Sequence, residues 1–214
     1  KVEDFVPVAL IGRFPLHVFT HPSVPAKDFR ELVAYVKANP GKLSYAFSGI
    51  GSLPHLVTEM VKGAIGLDIV GVSYKGAGPA VNDLVAGHVQ VYMDVPSPAL
   101  EFALNGRLKV LAVMGDKRSA LIPDVPSMAE IGYPNLGGYY NRYSLMAPAG
   151  TPATTIESLH KAALQAMESG PLRERQESDG ASPGVVSPEQ LGALMKEDHE
   201  KWGSVIRRLG ITLD

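Results

Sequence analysis

Cysteine is missing altogether, which excludes disulfides and thiolate metal sites. That absence fits an exported bacterial protein without demonstrating export. An excess of either charge is missing too. The formal net charge is −2 at pH 7, so neither a nucleic-acid partner nor an anionic membrane surface is expected. No apolar run approaches the roughly 20 residues that span a bilayer, so no direct membrane insertion is expected. No internal repeat or low-complexity stretch is visible. What remains is an ordinary globular composition in 214 residues, enough for one large or two small domains. The chain starts at Lys1 with no signal peptide before it. Its first run, Phe5–Ile11, already reads as a strand, so either a leader has been removed or more of the chain is missing.

Apolar, β-rich runs alternate with helical patterns. Strands are expected at Phe5–Ile11, Leu16–Thr20, Leu43–Phe47, Ile69–Ser73, Val89–Asp94 and Leu108–Met114. Helices are expected near Lys27–Ala38, Ser52–Ile65, Gly78–Ala86 and Ser97–Asn105. Gly and Pro mark nearly every junction. The alternation predicts βαβ units, a mainly parallel sheet and helices on both faces. After Tyr139 the pattern changes to one strand, Tyr143–Ala147, and three helices, near Thr154–Glu168, Pro171–Ser178 and Pro188–Leu209. Ser187, Pro188 and Gln190 have the types and spacing of a helix start. One strand covers little of three apolar helix faces. This segment is expected to pack on strands absent from the chain, and the chain alone to self-associate or to have low stability.

Ser48-Gly49-Ile50-Gly51-Ser52 lies between a strand and a helix, where α/β folds hold ligands. Glycines let the backbone approach a ligand, and free amides at a helix start favour an anion. The same residues also suit an ordinary tight turn and cap. Tyr74 and Lys75 follow the next strand at the same edge. Asp94 ends a third strand; it suits a ligand donor or a water, or equally a cap for the helix near Ser97. His55 faces the cleft or packs under the loop. His17 and His21, four apart, share one face of a strand, but nothing completes a metal set. Catalytic patterns are broken. Ala46 and Ile50 flank Ser48 where a nucleophile elbow has glycines. Pro54 replaces the third glycine of a dinucleotide turn. No cofactor is expected, and the enzyme alternative would rest on Ser48 or Lys75.

Several segments together resemble one family: Ala38-Asn39-Pro40-Gly41-Lys42-Leu43, Ser48-Gly49-Ile50-Gly51-Ser52 with His55-Leu56, Ser73-Tyr74-Lys75-Gly76-Ala77-Gly78-Pro79-Ala80, Pro123-Asp124-Val125-Pro126, and Ala147-Pro148-Ala149-Gly150-Thr151-Pro152. Their order is similar to that of the Bug family, the substrate-binding proteins of tripartite tricarboxylate transporters. The resemblance implies a non-enzymatic periplasmic receptor, closing two α/β lobes on a small carboxylate, with a membrane permease as partner. It implies ligand contacts from Ser48, Gly49, Gly51 and Ser52, with Tyr74, Lys75 and Asp94 lining the cleft. It also implies a complete lobe at residues 8–136. Residues 1–7 and 137–214 would be the crossover and the carboxyl-terminal half of the other lobe, whose first part is absent. An alternative reading is a fragment with no function of its own, half the cleft being missing; it would then bind nothing until that part is restored. Arg142 stands where an aromatic is usual; it is expected to meet a second carboxylate or to lie on the surface.

Overall fold

The computed structural model describes residues 1–181 and 185–212. Its strands are β1 (Phe5–Pro15), β2 (His17–Thr20), β3 (Ser44–Phe47), β4 (Val70–Ser73), β5 (Val91–Asp94), β6 (Lys109–Val113) and β7 (Tyr140–Pro148). Its helices are α1 (Phe29–Ala38), α2 (Leu53–Ile65), α3 (Ala77–Ala86), α4 (Ala99–Leu104), α5 (Ala153–Glu168), α6 (Gly170–Ser178) and α7 (Pro188–Leu209). Residue contacts divide the chain into two units. One is Lys1–Phe14 with Asn141–Arg207, and the other is Pro15–Tyr140 with the residues from Arg208. These limits lie beyond residues 8 and 136 because β1 and β7 pair with each other as long strands.

The 15–140 unit holds a five-stranded sheet in the order β4-β3-β5-β2-β6. β3 runs parallel to β4 and to β5, each successive pair being joined through a helix. The expected mainly parallel sheet has one exception. β2 is antiparallel to both β5 and β6. β2 follows β1, a strand of the other sheet, after the single residue Leu16. Helix ends follow familiar chemistry. Asp28 caps α1 by accepting from the Glu31 amide at 2.8 Å, and Phe29, Leu32, Val33 and Val36 form its buried stripe. Gly66 closes α2 in the left-handed region, at φ 68°. One core cluster gathers Phe19, Ala46, Val81, Leu84, Tyr92 and Leu108.

The other unit has a two-stranded sheet, β1 with β7. Val8, Ala9, Ala147 and Ile156 form its core cluster. The start of α7 is the reciprocal box read from sequence. The Ser187 amide donates to Gln190 Oε1 at 2.9 Å and the Gln190 amide to Ser187 Oγ at 3.3 Å. Burial of these helices is slight. Among the described residues, α5 buries only Ile156, α6 none, and α7 Leu191 and Val205. A cavity of about 480 Å³ opens between Val6, Pro7, Ile156, His160 and Gly192.

The histidines part company. β2 ends at Thr20, so His21 lies past the strand, with its Nδ1 2.7 Å from Ser23 Oγ. His17 is fully buried. Its Nδ1–H donates to the Pro15 carbonyl at 3.0 Å, leaving Nε2 as a bare acceptor without a partner among the described residues. Burial pulls its pKa from 6.5 down to about 4. Because the folded value lies below the unfolded one, the stability His17 permits at pH 7 is lost as pH falls from 6.5 towards 4. The whole effect amounts to about 3 kcal/mol. Urea midpoints at pH 7 and pH 4.5 check this: His17→Leu is expected to lose distinctly less stability on acidification than the parent. Equal losses would contradict a neutral buried His17.

Candidate functional site

β3, β4 and β5 end at one edge of the sheet, at Phe47, Ser73 and Asp94. This is the carboxyl edge, where α/β folds place ligands. Phe47 is register partner to Ser73, so the turn 48–52 opening α2 and the turn 74–76 opening α3 are neighbours. Gly49, Gly51 and Gly76 have φ of 119°, 76° and 106°, conformations a side chain strains. A Cβ on Gly49 or Gly76 would meet nothing within 4 Å. Conformation, not crowding, therefore requires glycine there, and the space beside both turns is open.

The amides divide into used and unused. Gly51 N–H donates to His55 Nδ1 at 3.1 Å, and Ser52 N–H to the Gly49 carbonyl at 3.2 Å. Ser52 Oγ caps α2, accepting from the His55 amide at 3.4 Å. Gly51 and Ser52, expected as ligand donors, thus spend their amides inside the turn. Among the described residues no hydrogen bond reaches the amides of Gly49, Ile50 or Leu53. Gly76 precedes α3 without any side-chain cap, and among the described residues no hydrogen bond reaches the first amides of α3, from Ala77 and Gly78. Ile50, Ala77 and Gly78 were not singled out from sequence. The signal for the α3 pair is a glycine at the capping position, which brings no oxygen of its own.

His55 braces the turn. Its ring stacks on Phe47, with centroids 4.1 Å apart and planes at 10°. An Nδ1 that accepts from Gly51 cannot carry a proton, and burial shifts His55 below its usual pKa in the same direction. Asp94 is 3% exposed. Its Oδ2 accepts from Tyr92 Oη at 2.7 Å and Ser48 Oγ at 3.1 Å, and its Oδ1 from the Val95 amide at 2.7 Å. Burial still raises its pKa against these donors. It stands behind Ser48 rather than on an open wall, and it caps no helix: α4 begins at Ala99 without a side-chain cap.

Tyr74 sends its hydroxyl to Asp83 Oδ2 at 2.7 Å, where His88 Nδ1 also meets Oδ1 at 3.2 Å. Burial and Asp83 push the phenol up to about 12. Lys75 is exposed and has no ion pair among the described residues. The structure therefore gathers Ser48, Gly49, Gly51, Ser52, His55 and Asp94 into one web, with Tyr74 and Lys75 on the adjoining turn. Arg142 belongs to the other unit, where Asp198 of α7 pairs with its guanidinium. Among the described residues no cluster of three or more His, Cys, Asp or Glu suits a metal ion, and no helix is long and apolar enough to cross a membrane.

Residues 1–211 match the family described as tripartite tricarboxylate transporter family receptor. The chain belongs to that family. BugT of Bordetella pertussis is 34% identical over 212 residues, covering 99% of this chain and 65% of BugT. The chain thus spans about two-thirds or less of the length of the first curated relatives it matches. A solved structure described as a periplasmic transporter is 36% identical, with TM-score 0.91 over all of this chain and 71% of that one. R. palustris Rpa4515 with adipate is 32% identical, TM-score 0.87, over 98% of this chain and 70% of that one. The α/β periplasmic-binding-protein fold expected from sequence is the fold the chain shares with these structures.

The turn itself yields a prediction. Gly49→Ala is expected to lower stability by about 1–2 kcal/mol, since φ is positive there. Gly63→Ala, inside α2 with open space around it, is expected to raise it by roughly 0.5–1 kcal/mol. Urea denaturation of both variants checks the pair; two changes of the same sign would contradict the assigned backbone.

Proposed function

We propose that this family member is a periplasmic solute receptor that takes a carboxylate group of a small organic acid at the paired turns opening α2 and α3, and delivers it to a membrane permease. The observation that carries this reading is the set of amides at two neighbouring helix starts that have no partner among the described residues, with exposed Lys75 on the turn before α3. An amide hydrogen bond to a charged acceptor contributes roughly 1.5–3 kcal/mol, and each helix dipole roughly 0.3–1 kcal/mol. Three or four such contacts reach micromolar affinity, about −8 kcal/mol. Ser48 and Gly49 with Ile50 form the contact surface in this reading; Gly51, Ser52 and His55 hold it in shape, and Asp94 acts through Ser48.

Binding is favoured over catalysis by where Ser48 sends its proton. The hydroxyl donates to Asp94 with no histidine between them, whereas an acyl-transfer serine needs a base that takes its proton and passes it on. His55, the nearest candidate in sequence, is held by Gly51 and Phe47. The slight burial of α5 to α7 supports self-association of the chain as a further property; light scattering that finds a monodisperse monomer contradicts it.

Calorimetry with succinate, adipate, L-aspartate and benzoate tests the receptor reading. At least one acid is expected to bind with micromolar affinity, and Lys75→Ala to weaken it about threefold to tenfold. The uncharged diol 1,6-hexanediol is expected not to bind. Failure of every acid, or Ser48-dependent turnover of simple esters, would overturn the reading.

A further inference from the structure

The web behind the turn bears on which acids fit, an inference that rests on the receptor reading of the site. A serine hydroxyl has one hydrogen and two lone pairs. Ser48 gives that hydrogen to Asp94 Oδ2 at 3.1 Å. Turning it elsewhere would strip a donor from a carboxylate that is 3% exposed, and a buried charge that loses a hydrogen bond is costly. The groups around Asp94 offer little replacement. Tyr92 Oη and the Val95 amide already donate to it. His17 stands opposite Asp94 in the β2–β5 register, fully buried. Its only hydrogen goes to the Pro15 carbonyl, and its Nε2 is itself an acceptor without a partner among the described residues. Asp94 thus depends on Ser48.

The consequence lies on the open side of Ser48, which is half-buried. With its hydrogen committed inward, Ser48 Oγ presents only lone pairs there. A carboxylate oxygen is repelled by those lone pairs, while a hydroxyl or ammonium is drawn to them. Immediately next in the chain, Gly49 and Ile50 present amides that only donate. The corner therefore carries donors and one acceptor side by side.

We propose that Asp94 fixes the polarity of Ser48 and that Ser48 thereby selects carboxylic acids bearing a hydrogen-bond donor on the carbon beside the carboxylate. Asp94 is a positioning residue and Ser48 the specificity-determining contact. A plain diacid leaves the Ser48 acceptor unmatched; a 2-hydroxy or 2-amino diacid of the same length satisfies it.

Calorimetry with succinate, L-malate and L-aspartate isolates the donor, because the three share a four-carbon diacid and differ at one substituent. In the parent protein, L-malate or L-aspartate is expected to bind at least tenfold tighter than succinate, and the better of the two tells hydroxyl from ammonium. Ser48→Ala is expected to erase that preference, weakening L-malate or L-aspartate at least threefold more than succinate. Ser48→Thr, which keeps the hydroxyl, is expected to retain it. Asp94→Asn can turn its NH₂ towards Ser48 and free the hydroxyl hydrogen, so the preference is expected to fall to threefold or less; if that variant does not fold, the Ser48 pair decides. Equal binding of all three acids by the parent, or equal weakening of all three in Ser48→Ala, would overturn the selectivity proposal and leave the receptor reading standing. No binding by any acid, adipate and benzoate included, would remove the receptor reading itself.

Discussion

The proposed chemistry of this protein rests on amide hydrogens that find no partner among the described residues. Every helix begins with N–H groups that lack an intrahelical acceptor, and a fold normally covers them with side-chain caps. At α2 the cap is partial. Ser52 Oγ takes the His55 amide and His55 Nδ1 takes that of Gly51, and those of Gly49, Ile50 and Leu53 find no partner among the described residues. At α3 the capping position is Gly76, with no side chain to offer. Parallel pairing of β3 with β4 brings the two starts together. The glycines, the stacking of His55 on Phe47 and the burial of Asp94 behind Ser48 all serve to hold this unsatisfied edge open and rigid.

Such an edge suits a receptor that must release what it captures. Neutral amides attract a carboxylate without the desolvation penalty of a buried cation. Lys75 adds charge from an exposed position, where solvent screens it. Polar side chains nearby are mostly committed elsewhere: Tyr74 to Asp83, Ser48 and Tyr92 to Asp94. On the proposed reading, the site would hold its carboxylate chiefly through backbone.

Much of this was legible from local pattern. The β-rich runs and helix periods placed every strand of the sheet, and the Ser187 box was readable because its partners are three residues apart. The direction of β2 was not, since hydrophobicity marks a strand but not the way it runs. In the site, the turn at 48–52 announced itself by its glycines and its place between strand and helix. The fate of individual groups did not. Ser48 meets Asp94 across 46 positions and Arg142 meets Asp198 across 56, contacts that only folding brings about. Even Gly51 and His55, four apart, required the rotamer of one imidazole to show that an amide expected to serve a ligand serves the turn instead.

The most direct test reads the amides themselves. In a ¹⁵N-resolved titration with a carboxylate that binds, the largest shifts are expected at Gly49, Ile50, Leu53, Ala77 and Gly78. Shifts confined to other residues, with these five unmoved at saturation, would contradict the account.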